Sequence, residues 1–284
     1  MRKIISVVAM AVIMLSCCSC SGSNTTSKNY PVTEFDVTVK SCPQKIISLS
    51  PAVTEIIKAL GSDAQLIGVS NDCTYDKKLK KYGTSLEPDI NKIKKSGADL
   101  IFASASIPSD YAKKISSAGI TLAKVSLPNS FSKLGETYDS VAALVSGAIA
   151  GPRNASNTFG RIKTAINKAG NSAKVNCAVF VSENTAVSAG TITTDLIETA
   201  GGKLISGSDK QIADKAPAMI ICPPSMKDAF SARFPSIRIE EFDVTELGSC
   251  GNKMASKVSD FAALIHSEAA PSSDAASQNS SEDS

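Results

Sequence analysis

The residues of this chain that could do chemistry are polar side chains placed directly after short apolar runs. The first run is Lys45–Leu49, which is typical of a strand, and Ser50 and Pro51 follow it at once. Serine is a preferred helix N-cap, proline suits the first helical position, and apolar residues recur from Val53 at helical spacing until Gly61. A strand that turns directly into a helix points free N–H groups beyond the strand end, where open α/β sheets bind ligands. The turn is therefore a candidate binding site.

The sequence lacks the residue sets of the common catalytic and metal centres. Its single histidine, His266, lies at the end of the last predicted helix, which excludes a Ser-His-Asp set and a zinc or manganese site built from several histidines. It has neither a GxxxxGKS phosphate loop nor an HExxH motif. Haem held through histidine is excluded on the same ground, whereas tyrosine ligation is not. We therefore expect no enzymatic activity, no cofactor and no resident metal ion.

The overall composition argues against a polyanionic partner. The chain has 30 lysines and arginines against 27 aspartates and glutamates, a formal net charge of +3. So small an excess does not indicate a nucleic-acid partner. The chain also has no tryptophan, so large aromatic surfaces that could contact a ligand are scarce.

The N-terminus resembles a bacterial lipoprotein signal. A basic start precedes the apolar stretch Ile4–Leu15, which is too short to span a bilayer, since a spanning helix needs about 20 residues. A small residue and then Cys17 follow, and Cys18 and Cys20 fit the cleavage pattern less well. The resemblance implies a signal peptide over residues 1–17, a lipidated Cys17 and an extracytoplasmic protein anchored to the cell membrane. The alternative is a plain secretory peptide.

Strand and helix patterns alternate along the rest of the chain, which is typical of an α/β protein with mostly parallel sheets. The alternation stops at a helical stretch and then restarts, which predicts two lobes joined by a single long helix. Phe131–Ala150 is predicted as a helix that Gly151 and Pro152 break, and Asn154–Lys168 as the joining helix. The predicted organisation is a flexible tether at 18–41, an N-terminal lobe at 42–151, a bridging helix at 152–170, a C-terminal lobe at 171–266 and a disordered tail at 267–284.

Six segments of the two predicted lobes, taken together, resemble a known family. They are "PQKIISLSPAVTEIIKALG", "LIGVSNDCTY", "EPDINKIKKSGADLIFAS", "AGITLAKVS", "GTITTDLIETAGGKLIS" and "KAPAMIICP". In this order and spacing they are similar to the cobalamin and iron-siderophore substrate-binding proteins of ABC importers. The resemblance implies a two-lobe fold of the class III substrate-binding type, with a shallow cleft and little hinge closure. It also implies a membrane-tethered receptor that captures a metal chelate (cobalamin-like, haem or ferric siderophore) and hands it to an ABC permease.

The same resemblance places the ligand in the cleft, beyond the carboxyl ends of the strands. Loop residues there would supply mostly hydroxyl, amide and carboxylate contacts. The expected ligand-binding residues are Ser50, Pro51, Asn71, Tyr75, Tyr82, Ser104, Ser106, Ser182, Glu183, Thr185, Asp243 and Thr245.

The permease-docking positions depart from those of the family. Each lobe of the family usually carries a glutamate that docks on permease arginines, and the aligned positions here hold Asn91 and Lys210. Complementary charges steer docking, so the usual partner would be poorly matched unless the neighbouring Asp89 and Asp209 take over. This departure keeps open a surface sensor or adhesion lipoprotein that transports nothing. A chelatase-type enzyme is a further alternative, with Glu183 as its candidate residue.

Three cysteines are predicted near the carboxyl ends of strands, and so toward the cleft: Cys73, Cys222 and Cys250. Cys250 is also expected at a helix start, which would lower its thiol pKa. We expect at least one of the three to be reachable from the cleft and protected by bound ligand. Cys42 and Cys177 are expected nearer the opposite end, and the odd number of cysteines in the folded part leaves at least one thiol unpaired.

Overall fold

Alternating strands and helices occupy residues 29–73, 78–170 and 173–267, the ranges that this computed structural model describes. The predicted signal peptide with Cys17, the predicted tail after Ser267 and the candidate ligand residue Tyr75 lie outside these ranges. None of the helices in the described ranges is both long and apolar enough to cross a membrane.

The strands and helices follow the predicted alternation. The strands are β1 Val32–Glu34, β2 Val37–Val39, β3 Ile46–Ser48, β4 Leu66–Val69, β5 Lys80–Lys81, β6 Leu100–Ser104, β7 Thr121–Val125, β8 Val175–Ser182, β9 Thr185–Ala186, β10 Gly202–Leu204, β11 Met219–Cys222 and β12 Ile239–Glu241. The helices are α1 Pro51–Ala59, α2 Ile90–Lys94, α3 Ser109–Ser116, α4 Leu134–Ser146, α5 Ala150–Ala169, α6 Ile192–Thr199, α7 Asp209–Asp214, α8 Lys227–Arg233 and α9 Met254–Ile265.

The N-terminal sheet has the strand order β5-β4-β3-β6-β7, and every pair in it is parallel. Parallel sheets need cover on both faces, and successive strand residues point to opposite faces. Ile46 accordingly packs in one apolar cluster and Ile47 in another. In β6, Leu100 and Ile101 divide in the same way. The apolar runs thus form buried strands with helices on both sides.

The C-terminal sheet repeats this plan with the order β10-β8-β11-β12, all parallel, and the short β9 antiparallel to β8. Cys177 and Val179 face the large apolar cluster that also serves the N-terminal sheet, whereas Ala178 and Phe180 face a smaller cluster of this lobe alone. The two lobes are therefore separate sheets that share one core.

The long helix α5 joins the two sheets, but it begins earlier than predicted. The chain breaks at Gly147, which has a φ of 92°, and not at Gly151 and Pro152. Both of these residues lie in the first turn of α5, where a missing proline N–H costs no helical hydrogen bond. Gly151 is needed for contact rather than for a break, because a Cβ there would lie 2.4 Å from the carbonyl oxygen of Ala142 in α4.

The predicted tether is wrong over residues 32–39, which form the antiparallel hairpin β1-β2. Its turn is Phe35-Asp36, and both residues have positive φ, 51° and 59°, as a two-residue hairpin turn requires. Val32 and Val39 are buried in the large cluster, and the hairpin packs on α4 and β7. The alternation of valine with polar residues in "VTEFDVTV" is typical of this hairpin. Because the residues around it are polar, the segment was predicted as part of the tether.

The lobes are held together by more than the covalent link through α5. The large apolar cluster runs from α1 and α4 through α5 to α9 without interruption. Within it, the Tyr138 hydroxyl donates to the Cys250 carbonyl at 2.6 Å, across the lobe boundary. The Phe131 N–H donates to Asp195 Oδ2 at 2.8 Å on the same side. These contacts fix the loop before α9 against the N-terminal lobe.

We predict that Tyr138→Phe lowers the free energy of unfolding by about 1–3 kcal/mol, because the buried Cys250 carbonyl loses its donor. Urea denaturation measures the loss. Tyr111→Phe is the matched control, since the Tyr111 hydroxyl makes no hydrogen bond within the described ranges and its ring contact with Lys114 is kept. Equal destabilisation of the two variants would contradict the assigned role of the Tyr138 hydrogen bond.

Candidate functional site

A cavity of about 510 Å³ lies between the lobes, at the carboxyl ends of β3, β4 and β7 and against the loop that precedes α9. Its volume is within the range of small-molecule sites. The lining residues are Ser50, Pro51, Ala52, Glu55, Asp72, Cys73, Leu127, Thr245, Glu246, Gly248, Ser249, Lys253 and Lys257. We call this space the cleft cavity.

The strand–helix turn at Ser50 is built as its sequence predicts and reaches the cleft cavity. Ser50 caps α1, and its Oγ accepts the Val53 N–H at 3.5 Å. Its carbonyl accepts both the backbone N–H and the hydroxyl of Thr54. Pro51 takes the first helical position, and both residues line the cavity. The turn thus presents the start of α1 to an occupant.

From the C-terminal lobe, Thr245 is the predicted residue that lines the cleft cavity. Asp243 lies behind it, because its Oδ1 accepts the Thr245 N–H at 3.0 Å and the Thr245 hydroxyl at 2.6 Å. The aspartate therefore positions the threonine and does not itself line the cavity.

Charged residues that sequence analysis missed make up much of the lining. Glu55 comes from α1, and Lys253 and Lys257, one helical turn apart, come from the start of α9. Lys257 pairs with Glu246, and the hydrogen bond to that carboxylate raises the pKa of the lysine. The spacing of the two lysines is visible in the sequence. Their position in the same cavity as α1 depends on how the lobes pack.

Two buried polar atoms at this cavity, Glu55 Oε1 and Ser249 Oγ, have no hydrogen-bond partner in the part of the chain that the structure describes. Burial raises the pKa of the Glu55 carboxyl, while Lys58 and Lys253 act in the opposite direction. A buried polar atom without a partner costs free energy. Both atoms are therefore available to hydrogen-bond a molecule in the cavity.

The other predicted N-lobe residues lie away from the cleft cavity. Asn71 links the segments that follow β4 and β5, because its Oδ1 accepts the Gly83 N–H at 3.2 Å. The hydroxyls of Ser104 and Ser106 lie 2.8 Å apart, at the carboxyl end of β6. None of the three lines the cavity.

Tyr82 is not the predicted cleft residue, because it is 5% exposed and belongs to the core under the N-terminal sheet. Its ring covers Gly68, where a Cβ would lie 2.1 Å from the Tyr82 ring. The strand β5 that precedes it pairs with β4, and this pairing turns the tyrosine inward.

Ser182, Glu183 and Thr185 lie at the end of β8 and in its tight turn to β9, and none lines the cleft cavity. The Glu183 carbonyl accepts Arg233 Nη1 at 2.6 Å. Its side chain is exposed and does not line the cleft cavity, where a chelatase residue would be expected.

The cysteines divide differently from the prediction. Cys73 lines the cleft cavity although it is 4% exposed, whereas Cys222 and Cys250 are fully buried, and all three thiols are free. The expected lowering of the Cys250 pKa is wrong: burial, with Glu55 nearby, raises it to about 12. Helix α9 begins only at Met254, so Cys250 is not at a helix start. Within the described residues no cluster of His, Cys, Asp and Glu could hold a metal ion.

Comparison with known proteins adds a partial sequence match. No protein-family model matches the chain. A curated relative, an uncharacterized ABC transporter substrate-binding lipoprotein of Bacillus subtilis, is 35% identical over 148 residues. The match covers 46% of this chain and 46% of that protein, so it spans about half the length of the relative.

Solved structures match over most of the chain. A possible iron-binding, periplasmic solute-binding protein from Staphylococcus epidermidis is 22% identical, with a TM-score of 0.67 over 80% of this chain and 100% of its own. A periplasmic haem-binding protein from Roseiflexus is 18% identical, with a TM-score of 0.65 over 78% and 97%. The vitamin B12 binding protein of Vibrio cholerae is 17% identical, with a TM-score of 0.62 over 80% and 99%.

This chain has the fold of the class III substrate-binding proteins. The predicted two-lobe α/β architecture and the resemblance stated from the sequence are confirmed. In this class III fold the cleft cavity lies between the lobes, where its lining draws on both.

The two predicted docking positions are exposed and lie on short helices of this class III fold, Asn91 in α2 and Lys210 in α7. Asp89 caps α2 and pairs with Lys92 at 3.0 Å. Asp209 begins α7 and forms two hydrogen bonds with the Arg233 guanidinium. Both neighbouring carboxylates are thus already engaged within the protein.

Glu55 generates a pH prediction. Its folded-state pKa lies above the ordinary value, so ionising it costs the folded state more than the unfolded one. Stability from this group should fall as pH rises from about 4.5 through the folded pKa. Glu55→Gln should therefore gain free energy of unfolding, relative to the unmodified protein, between about pH 4 and about pH 7.5.

Urea denaturation at the two pH values measures this difference. Glu87→Gln, which changes an exposed glutamate of the same lobe, is the control. A difference between Glu55→Gln and the unmodified protein that does not change with pH would show that the carboxyl is not held in a desolvated site.

Proposed function

We propose that this protein is a membrane-tethered, extracytoplasmic solute-binding lipoprotein of an ABC importer, which captures a metal chelate in the cleft cavity. The observation that carries the proposal is a cavity shared by both lobes, with the unpartnered Glu55 Oε1 and Ser249 Oγ at its wall. The class III fold and the partial similarity to a substrate-binding lipoprotein support it. A binding role needs no catalytic residue, and the relatives are named as binding proteins.

Among a cobalamin-like ligand, haem and a ferric siderophore, the lining favours the siderophore. The described lining includes three carboxylates and the ammonium groups of Lys253 and Lys257, and none of its residues is aromatic. A planar macrocycle gains most of its binding energy from apolar and aromatic walls. A hydrophilic chelate can instead use the hydrogen-bonding atoms of Glu55 and Ser249 and the lysine charges.

Native mass spectrometry with cyanocobalamin, haemin and a set of ferric siderophores tests the proposal. We expect a one-to-one complex with a ferric siderophore. Lys253→Gln should bind it about tenfold more weakly, because the variant loses one charge at the cavity, and a tenfold change in affinity corresponds to about 1.4 kcal/mol. Lys227→Gln, in the same lobe but outside the cavity, is the control. Absence of binding to every compound, or equal affinities of the two variants, would contradict this use of the cleft cavity.

The departures at the docking positions support the second candidate, a sensor or adhesion lipoprotein without transport. Asn91 and Lys210 lack the negative charge that the family uses, and Asp209 is neutralised by Arg233. Ligand uptake by cells that carry the protein with and without its permease separates the two functions. Uptake that requires both components supports transport.

Lipid anchoring through Cys17 is part of the proposal. A variant with Cys17, Cys18 and Cys20 all changed to serine should leave the membrane fraction in detergent-free washes, because stable anchoring needs the acyl chains that a lipidated cysteine carries. The single variants Cys18→Ser and Cys20→Ser serve as controls and should stay bound. Retention of the triple variant in the membrane fraction would contradict the lipid-anchor assignment.

A further inference from the structure

A second, larger cavity of about 880 Å³ lies on the N-terminal lobe and shares no lining residue with the cleft cavity. It extends along the edge strand β5 and reaches Lys45 and Ser96, which precede β3 and β6. The amino ends of parallel strands lie opposite their carboxyl ends, so this pocket and the cleft cavity occupy different sides of the lobe. We call it the lysine pocket.

Among the residues that the structure describes, six lysines and no carboxylate line the lysine pocket. They are Lys45, Lys78, Lys80, Lys81, Lys92 and Lys95. The net charge of the whole chain is only +3, so this concentration is a local feature rather than a property of the composition. Charges of one sign around a concave surface raise the local concentration of counter-ions.

The lysine charges are largely uncompensated. Within the described ranges Lys45, Lys80 and Lys95 take part in no ion pair, and Lys92 has only its exposed pair with Asp89. The half-buried Lys81 donates to the carbonyls of Ser70 and Cys73, which hold its ammonium in place without cancelling its charge. The pocket therefore carries a fixed charge at one side and adjustable charges around its rim.

We propose that the lysine pocket binds a ligand that carries two or more phosphate groups. Lysine is a compact point charge suited to phosphate, whereas planar carboxylates are more often bound by arginine, which this pocket lacks. The volume exceeds that of one phosphate, and Ile67, Leu79 and Tyr82 form an apolar wall beside the charges. The phosphates can come from a soluble oligophosphate or from the head groups of an anionic lipid.

Isothermal titration calorimetry of the full-length protein with sodium tripolyphosphate, in non-ionic detergent micelles, tests the site. The lining variant is Lys45→Gln/Lys80→Gln/Lys95→Gln, and the control Lys113→Gln/Lys124→Gln/Lys163→Gln removes three exposed lysines elsewhere. We expect about tenfold weaker binding by the lining variant and less than about twofold by the control, since local pairs outweigh screened distant charges. The single variant Lys80→Gln should show part of the loss.

A second titration in micelles doped with cardiolipin, an anionic lipid whose head group carries two phosphates, identifies the source of the phosphate. Weaker binding of tripolyphosphate there indicates that lipid head groups occupy the pocket, and unchanged binding indicates a soluble ligand. No binding to the unmodified protein, or equal affinities of the lining and control variants, would overturn the proposal. Siderophore binding in the cleft cavity should be the same in all these variants, so the outcome is independent of the proposed transport function.

Discussion

The apolar cluster that runs from α1 and α4 through α5 to α9 is the constraint on which the two-lobe arrangement depends. Each parallel sheet has an apolar face that must be covered, and here the inner faces of both sheets belong to one continuous apolar cluster. A lobe that moved away would expose this shared core. The Tyr138–Cys250 hydrogen bond lies within the cluster and fixes the loop that carries the C-terminal wall of the cleft cavity.

The same constraint matters for ligand binding, because it holds the wall of the cleft cavity in place. Glu55 Oε1 and Ser249 Oγ have no hydrogen-bond partner among the described residues, at a cost that a ligand can recover. Gly251 lies against the same wall, since a Cβ there would lie 2.9 Å from the Glu55 side chain. A preorganised wall of this kind reduces the ordering cost of binding.

Most strands and helices of this fold can be predicted from the sequence, because buried parallel strands are short apolar runs and the helices have apolar faces. The turn at Ser50 also follows from local chemistry alone. The misses are short or set by distant contacts: β5 and β9 have two residues each, and the glycine of the α4–α5 contact resembled a helix break.

The candidate site was less predictable than the fold. The rule that ligands bind beyond the carboxyl ends of strands predicted Ser50, Pro51 and Thr245, and these residues line the cleft cavity. The same rule misplaced Tyr82, which the pairing of β5 with β4 turns into the core. Lys253 was missed because its position in the cavity depends on how two lobes pack, and the lysine pocket was hidden by a net charge that averages over the chain.

The edge strand β5 has a consequence for solubility. An open sheet edge offers unpaired backbone groups to the strands of neighbouring molecules, and short, lysine-bearing edges discourage such pairing. β5 consists of only Lys80 and Lys81, so the edge is both brief and positively charged. At the far side of the other sheet, β12 ends in Glu240 and Glu241. One edge of each sheet is thus a short charged strand, which disfavours edge-to-edge pairing there.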